Sequence, residues 1–314
     1  MTRSRRTWLG LGAAAGVLAL AAPVLPQWAL FLIVISIAKG LAALGLLVLL
    51  RTGLVSFGQG LYFAAGAYAA GVAANQLGVA DGALLALLGS LAAAATSAVV
   101  GLLLARYRAI FFAMLSLAFS MILYGLLVKS SLLGSTDGFN VAARTVFGLP
   151  VGSGPGRYGV YGLAVLLALG AALGLDRYLG SNLGRLAPAV RDNELRVEYM
   201  GASARNVVYL NLVLAGALAG AGGAVTALAV GHVDPEMAYW TTSGEFVFVA
   251  ILSGTASVAA PFLGAILLEL LRSFAYEHAP NTWQLVMGAA MLAVILFLPD
   301  GMWSVFRARR RAAP

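Results

Sequence analysis

Few side chains in this sequence are equipped for covalent or metal chemistry. There is no cysteine, which removes disulfides, thiolate metal sites and thiol catalysis, and two histidines, His232 and His278, cannot form a metal cluster unaided. The only lysines, Lys39 and Lys129, lie outside any GxxxxGK[ST] phosphate loop, so the chain is not expected to hydrolyse ATP. The polar residues that stand out are instead embedded in apolar sequence. Ser56, Gln59 and Tyr62 lie in TGLVSFGQGLYFAAGAY at 52–68, and Ser116, Ser120 and Asn211 lie in other apolar segments. Such side chains are costly in lipid unless paired or turned inward, which makes them candidates for lining a translocation path; hydrogen bonding between helices explains each of them equally well. Lys39 is the exception worth testing among the ionisable residues, with snorkelling or pairing as its plain explanation, and Glu245 and Glu269 read as lying near the ends of an apolar segment.

The elements that position these residues must be membrane helices. The 314 residues are 61% hydrophobic and only 10% charged, with a mean hydropathy of +0.92. A soluble domain has about 45–50% apolar and about 25% charged residues, so an ordinary soluble enzyme is excluded. At roughly 20 apolar residues per crossing, the chain has room for eight to ten helices and little else. It reads as one all-α polytopic transmembrane domain over 1–314. The 38 glycines fall inside the apolar segments, where a residue without a side chain lets two backbones approach. Gly53, Gly58, Gly66, Gly216, Gly220, Gly222 and Gly223 are the packing candidates.

Apolar segments lie at about 8–25, 28–50, 54–76, 82–105, 109–128, 159–175, 206–230, 244–271 and 283–298, nine in all. Arg3, Arg5 and Arg6 at one end and Arg307, Arg309, Arg310 and Arg311 in a basic tail at 307–314 place both ends in the cytoplasm by the positive-inside tendency. Both ends inside require an even number of crossings, so at least one segment is broken or re-entrant. Two places qualify: 244–271, through Ser253-Gly254-Thr255-Ala256-Ser257 and Pro261, and the glycine-interrupted 52–68. The first segment also has the basic start and apolar run of a secretory signal, but a first membrane helix anchored by cytoplasmic arginines is the stronger reading.

Counting from a cytoplasmic start puts Arg51, Arg106 and Arg108 inside and the 129–158 connection outside, despite Lys129, Arg144 and Arg157. The next connection, 176–205, carries five arginines interspersed with Asp176, Asp192, Glu194 and Glu198, the strongest inside signal in the chain. Leu186, Val190, Leu195, Val197 and Met200 fit imperfectly a short amphipathic helix from about 188 to 200, which would suit docking to a soluble partner, although the residues alone favour an ordinary loop. Trp240, Trp283 and Trp303 lie near segment ends, where bilayer-interface anchoring is favoured over recognition.

Several ordered blocks over roughly 36–306 resemble the membrane permease subunits of branched-chain amino-acid ABC importers, in particular the LivM-like branch. They are TGLVSFGQGLYFAAGAYAAG at 52–71, FFAMLSLAF at 111–119, GSTDGFNV at 134–141, GRLAPAVRDNELRVEYMGASARNVVYLNLVLAGALAGAGGAV at 184–225, DPEMAYW at 234–240, and LPDGMWSVF at 298–306. In the fourth block, Gly184, Arg185, Ala189, Arg191, Asn193, Glu194 and Gly201 match the family's cytoplasmic coupling segment. Departures occur at Phe57, at Gln59-Gly60 and in the weakened glycine run at 253–257.

The resemblance implies a non-catalytic permease subunit in the bacterial inner membrane. Its partners would be a second homologous permease, two ATP-binding subunits that use ATP and Mg, and a periplasmic substrate-binding protein. Gly184, Arg185, Arg191, Asn193, Glu194 and Gly201 would then couple ATPase closure to the membrane helices. Asp137, Asn140, Asp234 and Glu236 are candidates for contact with the binding protein, although solvent-facing loops explain them almost as well. The implied substrate is a branched-chain or related apolar amino acid. Urea or a short amide is the alternative within the class, and an ion-coupled secondary transporter the alternative outside it.

Overall fold

The computed structural model describes residues 2–142, 145–150, 156–278, 280–297 and 301–303. Arg144, the 307–314 tail and most of the 298–306 block lie outside the described residues, as do the side chains of Arg3, Arg5, Arg6 and Arg157. The helices run in the order α1 (Thr2–Ala21), α2 (Gln27–Arg51), α3 (Gln59–Gln76), α4 (Gly82–Leu104), α5 (Ala109–Lys129), α6 (Gly156–Gly180), α7 (Asn182–Asp192), α8 (Glu194–Tyr199), α9 (Ala204–Val230), α10 (Trp240–Ser253), α11 (Ala260–His278) and α12 (Trp283–Phe297). Five are long and apolar enough to cross a membrane by length and composition: α2, α4, α5, α6 over Tyr158–Gly180, and α9. The architecture is that of an all-α, multi-pass membrane protein.

Local chemistry sets the helix ends. Asp81 caps α4 by accepting from the main-chain N–H groups of Ala83 and Leu84 at 2.9 and 3.1 Å, and Ser203 caps α9 through Asn206 N–H. Most of α2 and α9 is buried, so these two helices form the centre. In contrast, α5 buries only Phe112, Ser116, Ser120 and Leu127, a single stripe at helical spacing. Small residues let the central helices touch backbone to backbone. A Cβ on Gly66 would collide with the main chain of Gly220, one on Gly222 with the carbonyl of Ala38, and one on Gly45 would stand 2.6 Å from the Ala215 oxygen.

The chain is non-helical at both places where the sequence suggests a break. The 244–271 stretch forms α10 and α11, separated at Gly254, whose φ of +76° ends α10. The 54–76 stretch becomes helical only at Gln59, after a turn through Gly53 at φ +79°. The amphipathic helix expected at about 188–200 lies earlier and in two pieces, α7 and α8. Ser181 caps the first, and Asn193 leaves the helical conformation to cap the second through Arg196 N–H at 3.0 Å.

These links gather on two opposite faces. On one, Arg51 donates to the Thr255 carbonyl at 2.8 Å, Gly53 lies against the Arg191 stem, and Arg108 pairs with Glu194. The links 52–58, 105–108, 181–203 and 254–259 therefore share the α7–α8 face. On the other, β1 (Phe139–Asn140) pairs antiparallel with β4 (His232–Val233), and Asn75 bridges to the Asn140 carbonyl and the Ala142 N–H. A small hairpin of β2 (Thr145–Val146) and β3 (Leu149–Pro150) joins them there through Thr145 N–H to the Ala80 carbonyl. Helix α1 runs antiparallel to α6: the Trp8 indole donates to Asp176 at 3.0 Å near the α7 face, while Leu18 accepts from the Tyr161 hydroxyl towards the other.

Candidate functional site

The start of α3 is enclosed by three other elements. Gly58 lies against Ser116 of α5, and Gly60 lies against Ser243 of α10 and the carbonyls of Met237 and Tyr239. Ser120, about midway along α5, donates to the Ala238 carbonyl at 2.7 Å, so the 235–239 turn descends beside the middle of that helix rather than staying at the bundle surface. Serine hydroxyls cap this break: Ser116 accepts from Phe57 N–H at 3.0 Å, Ser56 from Gly58 N–H at 3.2 Å, and Ser243 from Gly60 N–H at 2.9 Å. Irregular backbone at membrane depth needs such partners, because lipid offers none.

Five of the six translocation-path candidates, Ser56, Gln59, Tyr62, Ser116 and Ser120, belong to α3, its entry turn and the α5 stripe that faces it. Asn211 does not join them. It lies on α9, where its side-chain oxygen accepts from the Tyr178 hydroxyl of α6 at 2.6 Å. Ser243 completes the cluster and was not singled out from the sequence. Its signal is its place near the start of a helix that begins at a DPEMAYW turn, but its partner Gly60 is distant in the chain.

Gln59 and Tyr62 differ from the serines. Both are wholly buried, and neither atom of the Gln59 amide nor the Tyr62 hydroxyl has a hydrogen-bond partner in the described protein. They stand three residues apart on the first turn of α3, on one side of the helix. Tyr62 joins an apolar cluster that includes Phe63, Phe112 and Phe246.

A second constellation gathers Lys39, Glu245 and Glu269, which the sequence offers separately, with Arg272, which it does not single out. Lys39 of α2 reaches Glu245 of α10 at 3.0 Å and Glu269 of α11 at 2.7 Å, and Arg272 of α11 pairs with Glu245 and approaches Glu269 at 3.7 Å. Two cations and two anions balance. The sequence reading placed both glutamates near the ends of one long segment, but splitting that segment puts Glu269 in the middle of α11, beside Lys39. The Trp283 ring lies 5.9 Å from the Arg272 guanidinium, which brings α12 to the same group.

On the α7–α8 face, Gly184 makes the sharp entry to α7, because a Cβ there would strike the Tyr178 carbonyl and the Leu179 backbone. Capping belongs to Ser181 and Asn193; Arg185 caps neither helix. Arg191 packs its stem on Gly53, and Glu194 accepts from Arg108, so both turn towards the membrane helices of their own chain. Gly201, at φ +83°, turns the chain after α8. Leu195, Tyr199 and Met200 point away and are 64%, 89% and 66% exposed.

The other face holds Asp137, Asn140, Asp234 and Glu236. Asn140 faces His232 at 2.9 Å, Asp137 accepts from the Thr136 hydroxyl, and Asp234 and Glu236 flank the start of the 235–238 turn. Among the packing glycines, Gly66, Gly216, Gly220, Gly222 and Gly223 sit at helix contacts, whereas Gly53 and Gly58 serve the 52–58 link. Among the described residues, no group of three or more acidic or histidine side chains forms a metal site.

Residues 28–295 match the family model for the branched-chain amino acid transport system permease component. The chain belongs to that family. It is a family of non-catalytic permease components. The high-affinity branched-chain amino acid transport system permease protein LivM of Escherichia coli is 28% identical over 283 residues, covering 82% of this chain and 65% of the relative. The corresponding protein of Salmonella typhimurium is 26% identical over 282 residues, with the same shares covered. The chain thus spans just under two thirds of the length of these relatives. No solved structure matches it.

Proposed function

We infer that this chain is the permease subunit of an ABC importer for branched-chain or related apolar amino acids, and that separate ATPase subunits drive it. The observation that carries this reading is the α7–α8 element. It is held to the membrane helices by Arg108–Glu194 and Arg191–Gly53, while it presents Leu195, Tyr199 and Met200 outward. An apolar tip on an exposed helix costs free energy unless a partner covers it. A rigid attachment on its other side would transmit that partner's motion.

In this reading α1 to α6 and α9 to α12 supply ten crossings, an even number, with α3 and α10 starting within the bundle. Both ends of the chain then lie on the cytoplasmic side of the bacterial inner membrane, which the nearness of Trp8 to the end of α6 and the bond from Met302 N–H to the Leu252 carbonyl support. Asp137, Asn140, Asp234 and Glu236 would face the periplasmic binding protein. A second permease of the same family would complete the path, and ATP with Mg would act only in the partner ATPases. The test replaces Leu195 and Tyr199 together by serine. Leucine uptake and substrate-stimulated ATP hydrolysis should fall at least tenfold at an unchanged membrane level of the chain; normal coupling in that variant would refute the assignment.

A further inference from the structure

Two wholly buried polar side chains without partners sit side by side where a helix begins inside the membrane bundle. Around them the polar groups are satisfied: the N–H groups of Phe57, Gly58 and Gly60 each have a serine, and Ser120 has the Ala238 carbonyl. Leaving a buried amide and a buried phenol unpaired is unfavourable, and Leu or Phe would fill the same volumes without that penalty. The hydrogen-bond partners of Phe57, Gly58, Gly60 and Ser120 at this turn are hydroxyls and a main-chain carbonyl, all of them uncharged.

We propose that Gln59 and Tyr62 at the start of α3 bind the α-ammonium and α-carboxylate groups of a zwitterionic amino acid in transit. The Gln59 side-chain N–H and the Tyr62 O–H would donate to the carboxylate, which the positive end of α3 also favours. The Gln59 side-chain oxygen would accept from the ammonium group. A zwitterion has no net charge, so an uncharged set holding both donors and an acceptor suits it better than it suits a cation or an anion. Phe63 of α3, Phe112 of α5 and Phe246 of α10 share a buried apolar cluster with Tyr62 and would offer cover for a branched hydrocarbon side chain. This assignment rests on the importer reading and deepens it by naming the chemistry of the path.

The natural absence of cysteine makes the test direct. Phe57→Cys chain, which keeps Gln59 and Tyr62, is treated in lipid nanodiscs with a small methanethiosulfonate reagent, with exposed Thr136→Cys as the reference for reactivity. Leucine should slow modification at Phe57→Cys at least fivefold and leave Thr136→Cys unchanged. Isopentylamine, which lacks the carboxylate, 4-methylpentanoate, which lacks the ammonium, and urea should each give less than twofold protection. Adding Tyr62→Phe should raise the leucine concentration for half protection roughly tenfold, because one hydrogen bond to a charged group is lost. If Phe57→Cys does not fold, Met237→Cys beside Gly60 is assayed in the same way. The proposal is overturned if leucine gives no protection, if isopentylamine or urea protects as well as leucine, or if neither position reacts while Thr136→Cys does. ATP-dependent leucine uptake by the unaltered chain in native membranes separates the two claims: uptake without protection removes this site alone, and no uptake removes the importer reading itself.

Discussion

Replacing Lys39 by methionine should destabilise the protein far more than replacing Lys39 and Glu269 together. Lys39 bonds to Glu245 at 3.0 Å and to Glu269 at 2.7 Å, and the side chains of the four charged residues are only 12–24% exposed. Lys39→Met leaves two carboxylates against the single guanidinium of Arg272, so a net negative charge is stranded among α2, α10 and α11. Breaking a buried pair by removing one partner costs roughly 3–5 kcal/mol, and at about 1.4 kcal/mol per decade the low end already lowers the folded-to-unfolded ratio more than 100-fold. Lys39→Met with Glu269→Gln keeps one cation and one anion, Arg272 and Glu245, and neutral replacement of buried pairs is often close to energetically neutral. The double variant should therefore recover at least half of the loss. The assay is reversible unfolding of the full chain in mixed micelles, with both single variants and the double variant closing a cycle. A loss below about 1 kcal/mol for Lys39→Met, or a double variant as damaged as the sum of the singles, would show that the four charges do not act as one balanced network.

Two further outcomes follow from the packing and the faces. Gly66→Ala should lower thermal stability by at least about 2 kcal/mol, because its Cβ would meet the Gly220 main chain rather than a side chain able to move; a stability unchanged in thermal scans would count against backbone contact between α3 and α9. Arg108→Glu should uncouple ATP hydrolysis from uptake, and combining it with Glu194→Arg should restore at least a third of the coupling, measured in membrane vesicles with the ATPase subunits present; no restoration would mean that the pair does not transmit motion.

Much of the fold was legible because lipid imposes length and polarity on each helix separately. The apolar runs at 28–50, 82–105 and 109–128 became α2, α4 and α5 nearly to the residue, since those limits depend on local hydrophobicity and on caps such as Asp81. The break in 244–271 was readable from Ser253 and Gly254, although the sequence could not show what it does to Glu269. The helix at 188–200 was displaced because Ser181 starts it earlier and Asn193 divides it, and the capping distances of both are only a few residues. The residues proposed for coupling form one block in the sequence, which could not show their directions: Glu194 turns inward to Arg108, while Tyr199 carries the exposed surface.

By itself the sequence determined that the chain crosses a membrane repeatedly, contains no phosphate loop, and carries a mixed-charge segment between α6 and α9. Composition and local periodicity decide such properties, and neither depends on distant contacts. The tertiary structure alone brought Lys39 to Glu245 and Glu269, placed Ser243 on Gly60, separated Asn211 from the α3 cluster, and left Gln59 and Tyr62 buried together without partners. Each of those relations joins residues on different helices or depends on what surrounds them. In lipid the value of a polar side chain is set by its partner, and the partner is chosen by how the helices pack.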